Sequence, residues 1–198
     1  MSKLFALVPA AGSGARMGAA LPKQYLPLAG RPLLYHTLRQ LCACADIERV
    51  FVVLAAGDTF FAQQDWRPFA DRIEPLFCGG AARAASVFNG LLAVRDLLAA
   101  DDWVLVHDAV RPCLPVLPRG GGTSQCGQTV GAALVIDNSK HLKKVVSVDP
   151  AAATDESSAI ERLGLRPRLV NGDTRNLKVT YPHDLELAAL ILNSMEKP

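Results

Sequence analysis

Lys3-Leu4-Phe5-Ala6-Leu7-Val8 runs directly into Pro9-Ala10-Ala11-Gly12-Ser13-Gly14-Ala15-Arg16-Met17-Gly18, and this junction decides the fold. The first stretch is short, apolar and carries branched and aromatic residues, as a buried strand does. The second is a loop of small residues, with a cation inside it. A buried strand emptying into such a loop is the start of an alternating strand–helix fold. Two common phosphate loops fit the spacing poorly. Gly12, Gly14 and Gly18 give G-x-G-x-x-x-G, one residue longer than the dinucleotide fingerprint. A P-loop needs Gly-Lys followed by Ser or Thr, which the chain lacks.

Outward from the loop the alternation continues. Pro32–Cys42 places Leu33, Leu34, Leu38 and Leu41 at helical spacing. Arg49–Ala55 and Ile73–Phe77 read as strands, with a short helix expected between them at Phe60–Phe69. Ala82–Ala99 is the clearest helix, with Val87, Leu91, Val94 and Leu98 on one stripe. Trp103–Val106 is a further strand and delivers His107-Asp108-Ala109 at its carboxyl end. The expected fold class is α/β: a Rossmann-like, mainly parallel sheet with helices on both faces. Ligands of such sheets sit outside the carboxyl ends of the strands.

Pro112, Pro115 and Pro118 followed by Gly120-Gly121-Gly122 favour loop. Val130–Ile136, Lys143–Val148, Arg168–Val170 and Leu177–Thr180 are further strand candidates. Thr154, with Asp155 and Glu156 behind it, suits a helix start, and Gly164 its end. Pro182 opens a last helix to about Met195, with Leu185, Ala188, Ala189 and Leu192 on its apolar face. One domain is expected over residues 1–198, with an atypical region at about 112–153.

Composition narrows the partners. With 21 basic and 19 acidic residues the formal net charge is only +2, so nothing calls for nucleic acid or an anionic membrane. Five cysteines match no zinc or redox spacing, which reads as free thiols in a reducing cytoplasm. No apolar run has the length of a spanning helix. Anion binding must therefore come from local placement. Gly12, Gly14 and Gly18 let backbone N–H groups approach a ligand, and Arg16 and Lys23 add charge in the same segment.

Pro9 to Gly18, followed by Pro22-Lys23-Gln24-Tyr25, resembles the signature loop of the sugar nucleotidyltransferases. The Pro-Lys-Gln-Tyr ending is similar to the 2-C-methyl-D-erythritol 4-phosphate cytidylyltransferase family, and the pentitol-phosphate cytidylyltransferases share much of the pattern. Gly79-Gly80-Ala81-Ala82-Arg83-Ala84-Ala85-Ser86-Val87 resembles that family's G-G-x-x-R-x-x-S-V tract. Val106-His107-Asp108-Ala109-Val110-Arg111-Pro112 resembles V-H-D-A-x-R-P. Thr154-Asp155-Glu156 resembles T-D-E, and Asn176-Leu177-Lys178-Val179-Thr180 resembles N-[IL]-K-[VI]-T.

The resemblance implies transfer of CMP from CTP to a sugar-alcohol phosphate, with Mg²⁺ as cofactor. It implies catalytic roles for Arg16, Lys23 and Lys178 around the phosphates. Pro9, Ala10, Ala11, Gly12, Gly14, Gly80, Arg83 and Ser86 would bind the nucleotide. Asp108, Ala109, Arg111 and Thr154 would face the acceptor, and Asp108 would hold the metal. Arg83 reads equally as a support for its loop.

The family also implies a homodimer, through an arm that crosses to the neighbouring subunit. In this chain the arm region is shortened: Asp137-Asn138-Ser139-Lys140 echoes its first tract poorly, and the second has no counterpart. Three readings stay open on the sequence: methylerythritol phosphate as acceptor, ribitol phosphate or a similar acceptor, or CTP binding with catalysis lost or impaired.

Overall fold

The computed structural model describes residues 3–14, 17–18, 21–112, 134–136 and 177–195. Its centre is a five-stranded sheet built from β1 (Leu4–Pro9), β4 (Ile47–Val53), β5 (Ile73–Leu76), β6 (Trp103–Val106) and β7 (Leu134–Ile136). The strand order is β5-β4-β1-β6-β7. β1, β4, β5 and β6 run parallel, and β7 joins β6 antiparallel. A small hairpin, β2 (Pro27–Leu28) with β3 (Arg31–Pro32), precedes helix α1 (Leu33–Ala43). Its turn has Ala29 at φ 47° and Gly30 at φ 76°, two left-handed residues in succession, which suits the twist of a tight hairpin. Helices α2 (Arg83–Val94) and α3 (Pro182–Met195) complete the described elements.

The period-two geometry of the strands divides the core in two. Ala6 and Val8 of β1, with Val50 and Val52 of β4, belong to one cluster, packed with Leu34, Leu38 and Leu41 of α1 and Ala188 and Leu192 of α3. Phe5 and Leu7, with Phe51 and Val53, belong to the other, packed with Val87 and Val94 of α2. Helices therefore cover both faces, which explains why β1 and β4 read as continuous apolar runs. The expected stripes hold: Leu33, Leu34, Leu38 and Leu41 are fully buried, and Leu91 and Leu98 are half-buried beside Val87 and Val94.

Three expectations change. Phe60–Phe69 is not one helix but two short 3-10 turns, Phe61–Gln63 and Arg67–Phe69. The Trp66 indole N–H donates to Phe61 O at 2.6 Å, taking a carbonyl that a continuing helix would use, and Pro68 has no N–H to offer. The helix at Ala82–Ala99 ends at Val94 and closes with a 3-10 turn, Arg95–Leu97. Leu177–Thr180 is irregular rather than a strand, although Val179 N donates to Val110 O at 3.0 Å. The expected strands Lys143–Val148 and Arg168–Val170 and the helix begun by Thr154 lie outside the described residues. No described helix is long and apolar enough to cross a membrane.

Because β1, β4, β5 and β6 are parallel, their carboxyl ends share one edge. The loops after Pro9, Val53, Leu76 and Val106 are thereby gathered there.

Candidate active site

The loop after β1 is fixed from two sides. Ala10 N donates to Val53 O at 2.7 Å, continuing the ladder to β4. Gln24, itself buried, donates from Nε2 to Ala10 O at 2.6 Å. Gly14 stands at φ 69°, and a Cβ there would lie 2.7 Å from Lys23 Cβ. Only glycine meets both demands, so the loop lies directly on the lysine that the sequence marked as catalytic. Next in the chain, the Tyr25 hydroxyl donates to Asp58 Oδ2 at 2.8 Å. Burial, then the Asp58 bond and charge, push the phenol's pKa up and keep it a donor. Asp58 Oδ1 also accepts from the N–H groups of Phe60 and Phe61, both at 3.0 Å. Pro-Lys-Gln-Tyr thus works as a clamp. Lys23 is presented while Gln24 and Tyr25 anchor it. Gln24 stood in the Pro-Lys-Gln-Tyr motif of the sequence, but neither charge nor hydrophobicity gave it a role there.

The loop after β5 meets the first loop. A Cβ on Gly79 would fall 2.2 Å from Ala11 Cβ, and Gly79 N donates to Leu54 O at 2.7 Å. Ser86, buried in the first turns of α2, accepts from Gly80 N at 3.1 Å, and its hydroxyl lies 3.1 Å from Ala82 O. Ser86 therefore shapes the Gly80–Ala82 turn, next to Gly79, which packs on Ala11. A cavity of about 200 Å³ opens next to the loop, lined in part by Ala11, Gly12, Gln24, Asp58 and Phe60.

The cations meet at Asp108. Arg83 Nε lies 3.0 Å from Asp108 Oδ1, and Arg111 Nε and Lys178 Nζ each lie 3.0 Å from Oδ2. The carboxylate is only 12 % exposed, while Lys178 and Arg83 are 38 % and 37 % exposed and reach outward. Burial raises the Asp108 pKa. The charges of Arg83 and Lys178, with hydrogen bonds from Lys178 and Arg111, outweigh it and hold the carboxyl well below the usual carboxylate range. Three cations on one carboxylate leave an excess of positive charge at the strand edge, the condition for receiving an anion. Arg83, read from the sequence equally as ligand or as support for its loop, is here ion-paired to Asp108.

Lys23 joins the group through the segment before α3. Its Nζ lies 3.5 Å from Val179 O, next to Lys178, and Val179 N is bonded to Val110 O. Asp184 holds that segment in place, accepting from Thr180 N at 2.7 Å and Tyr181 N at 2.8 Å as a cap of α3. Lys23, Lys178, Asp108 and Arg111 are thus brought into one neighbourhood. Ala109 is buried in the core, so what it offers a ligand is backbone. Pro9 ends β1 at the head of the loop. Arg16 and Thr154 lie outside the described residues.

Among the described residues no three His, Cys, Asp or Glu side chains form a metal-binding group. Asp108 is a single carboxylate already ringed by cations. A bare divalent ion meets repulsion there, whereas one carried on several phosphate charges does not. The residues fit a metal that enters with a phosphate ligand.

Comparison with known proteins agrees in detail. The sequence profile of IspD, 2-C-methyl-D-erythritol 4-phosphate cytidylyltransferase, matches residues 4–136 and 123–194. The 2-C-methyl-D-erythritol 4-phosphate cytidylyltransferase of Laribacter hongkongensis (strain HLHK9) is 48% identical over 227 residues, covering 97% of each chain. That of Azoarcus sp. (strain BH72) is 46% identical over 222 residues, covering 96% of this chain and 94% of its own. Among solved structures, a 4-diphosphocytidyl-2C-methyl-D-erythritol synthase superposes with a TM-score of 0.70 at 29% identity, covering 97% of this chain and 99% of the other. The Francisella tularensis IspD gives 0.68 at 27% identity, covering 96% of this chain and 100% of the other. With its glycine loop, its Pro-Lys-Gln-Tyr clamp and its Asp108 cluster in place, the chain belongs to the 2-C-methyl-D-erythritol 4-phosphate cytidylyltransferase family.

Proposed function

We propose that this chain transfers CMP from CTP to 2-C-methyl-D-erythritol 4-phosphate, releasing pyrophosphate and giving CDP-methylerythritol. The observation that carries the reading is the Asp108 cluster, with Arg83, Arg111 and Lys178 each 3.0 Å from one carboxylate beside the Lys23 loop. A phosphate monoester oxygen attacks the α-phosphorus of CTP and the bond to pyrophosphate breaks. The nucleophile is already anionic at pH 7, so a strong general base is not needed. The barrier lies in bringing two anions together and stabilising charge at phosphorus. Cations on rigid supports answer both needs.

In this reading Lys23, held against Gly14, binds the triphosphate and follows its charge into the leaving pyrophosphate. Arg16 of the same loop shares that work. Lys178 serves the α-phosphate. Asp108 holds Lys178, Arg111 and Arg83 in position until phosphate oxygens compete for them. Arg111, with Thr154, faces the acceptor. Ala10, Ala11 and Gly80 line the base through backbone, behind the turn that Ser86 shapes. Asp108 would be the carboxylate that holds a Mg²⁺ ion brought with CTP, and such an ion would supply charge neutralisation on the phosphates.

The working form in this reading is a homodimer in the cytoplasm. Free thiols at Cys42, Cys44 and Cys78 suit a reducing compartment. The test mixes purified protein with CTP, Mg²⁺ and methylerythritol phosphate, with ribitol phosphate in a parallel arm. Pyrophosphate release only with methylerythritol phosphate is the expected result. Release only with ribitol phosphate reassigns the acceptor, and none at high protein concentration rejects the reading.

A further inference from the structure

Three successive carbonyls after β6 are each held by a donor, the first from the neighbouring residue and the other two from distant segments of the chain. His107 Nδ1 lies 2.9 Å from Asp108 O, Thr37 Oγ1 of α1 donates to Ala109 O at 3.0 Å, and Val179 N donates to Val110 O at 3.0 Å. Ala109 and Val110 turn their side chains into the core, so the turn presents Asp108 alone toward the cations. We propose that Thr37 and His107 are positioning residues of this site. Their buried donors fix the Asp108–Val110 turn and, through it, the Asp108 carboxylate and Lys178. The inference rests on reading Asp108 and Lys178 as the phosphate-handling groups.

Both side chains are costly as mere filler. Thr37 is fully buried on the face of α1 that carries Leu33, Leu34, Leu38 and Leu41. Valine has the same shape and would bury no hydroxyl there; what the hydroxyl adds is the bond to Ala109 O. In His107 a carbonyl can only accept, so Nδ1 carries the proton and Nε2 is a bare acceptor. That Nε2 is buried and has no hydrogen-bond partner among the described residues. An apolar ring would avoid this orphan, so the Nδ1 bond to Asp108 O is the imidazole's specific contribution. Two buried polar groups, on separate elements, are thus spent on neighbouring carbonyls of one turn. The third carbonyl is held by Val179, adjacent to Lys178, so the turn also sets where that lysine stands.

The test uses the full chain and two pairs of variants. Thr37→Val removes the donor and Thr37→Ser keeps it. His107→Leu removes the ring donor, and His107→Asn places an amide N–H where Nδ1 stood. Each is assayed for kcat and the KM for CTP, and for amide hydrogen exchange at Val179 against Val50–Val52 in β4. The donor-deleting variants are expected to lose about tenfold or more in kcat with the KM for CTP within about threefold, as misplacement of reacting groups does. Their Val179 N–H should exchange about tenfold faster relative to the β4 amides, while Thr37→Ser and His107→Asn stay near wild type. Unchanged kcat, equal losses in Thr37→Val and Thr37→Ser, or exchange rising in step at Val179 and β4 each overturn the inference. If the wild-type chain transfers no CMP, the function reading fails by itself, and the exchange at Val179 alone decides this one.

Discussion

Lys178 Nζ lies 3.0 Å from Asp108 Oδ2, joining the segment before α3 to the end of β6. The same oxygen receives Arg111, and Oδ1 receives Arg83. Asp108→Asn removes the charge that holds three cations together. The partners are partly exposed and screened, so the expected loss of stability is about 1–3 kcal/mol, below that of breaking a fully buried pair. Urea denaturation measures it. CMP transfer by the same variant should fall further than stability does.

Lys23 stands between the glycine loop and Val179 O. Its cation gains most when negative charge builds at the leaving phosphates. Lys23→Met is expected to lower kcat by at least about a hundredfold and to raise the KM for CTP by much less. A rise in KM with kcat intact would make Lys23 a binding group only. Steady-state kinetics over a range of CTP concentrations separates the two.

Gly14→Ala tests the loop geometry. The left-handed φ of 69° costs a side-chain-bearing residue about 1–2 kcal/mol, before any clash. The added methyl would also press on Lys23 Cβ and Cγ at 2.7 and 2.8 Å. A lowered melting temperature together with weaker CTP binding is expected. Gly57→Ala, where no described atom lies within 4 Å of the new carbon, is the control for added bulk.

His107 gives the chain a pH dependence of known sign. Burial lowers its pKa from 6.5 to about 4, with the Asp108 charge and bond opposing only in part. The folded-state value is the depressed one, so its contribution to stability is complete above pH 6.5. It is lost as pH falls toward 4, because the unfolded chain takes up a proton that the folded chain refuses. At about 1.4 kcal/mol per pH unit the gap amounts to about 3 kcal/mol. Asp108, held low, titrates beneath this window. His107→Asn should flatten the fall in unfolding free energy between pH 6.5 and 4, measured by urea titration at each pH.

Metal and nucleotide should bind together. With three cations around Asp108, Mg²⁺ alone is expected to give no calorimetric signal at millimolar concentration. With CTP present, Mg²⁺ should tighten nucleotide binding and restore turnover after EDTA treatment. A site filled by Mg²⁺ without CTP would contradict this account of Asp108.

Much of the fold was legible because its signals are local. Leu33, Leu34, Leu38 and Leu41 mark one face of α1 whatever they pack against, and Val50 to Val53 read as a strand covered on both sides. Phe60–Phe69 did not, because the Trp66 indole and Pro68 break a helix by bonds that periodicity does not register. Leu177–Thr180 has the composition of a strand, but its described backbone bond to β6's neighbourhood is a single contact at Val110.

The chemistry is already written in residue types: glycines at 12, 14 and 18, the cations Lys23, Arg111 and Lys178, and the acid Asp108, in the order the family requires. Residue type and order are properties of the chain, and the demand of phosphate for cations and bare backbone is general. Which group holds which emerges from packing in three dimensions. That Arg83 supports Asp108, that Gln24 grips Ala10 O, and that Thr37 reaches Ala109 O are contacts across parallel strands and their helices. Such contacts depend on distance in space, and a few ångströms of packing fix them where no spacing along the chain can.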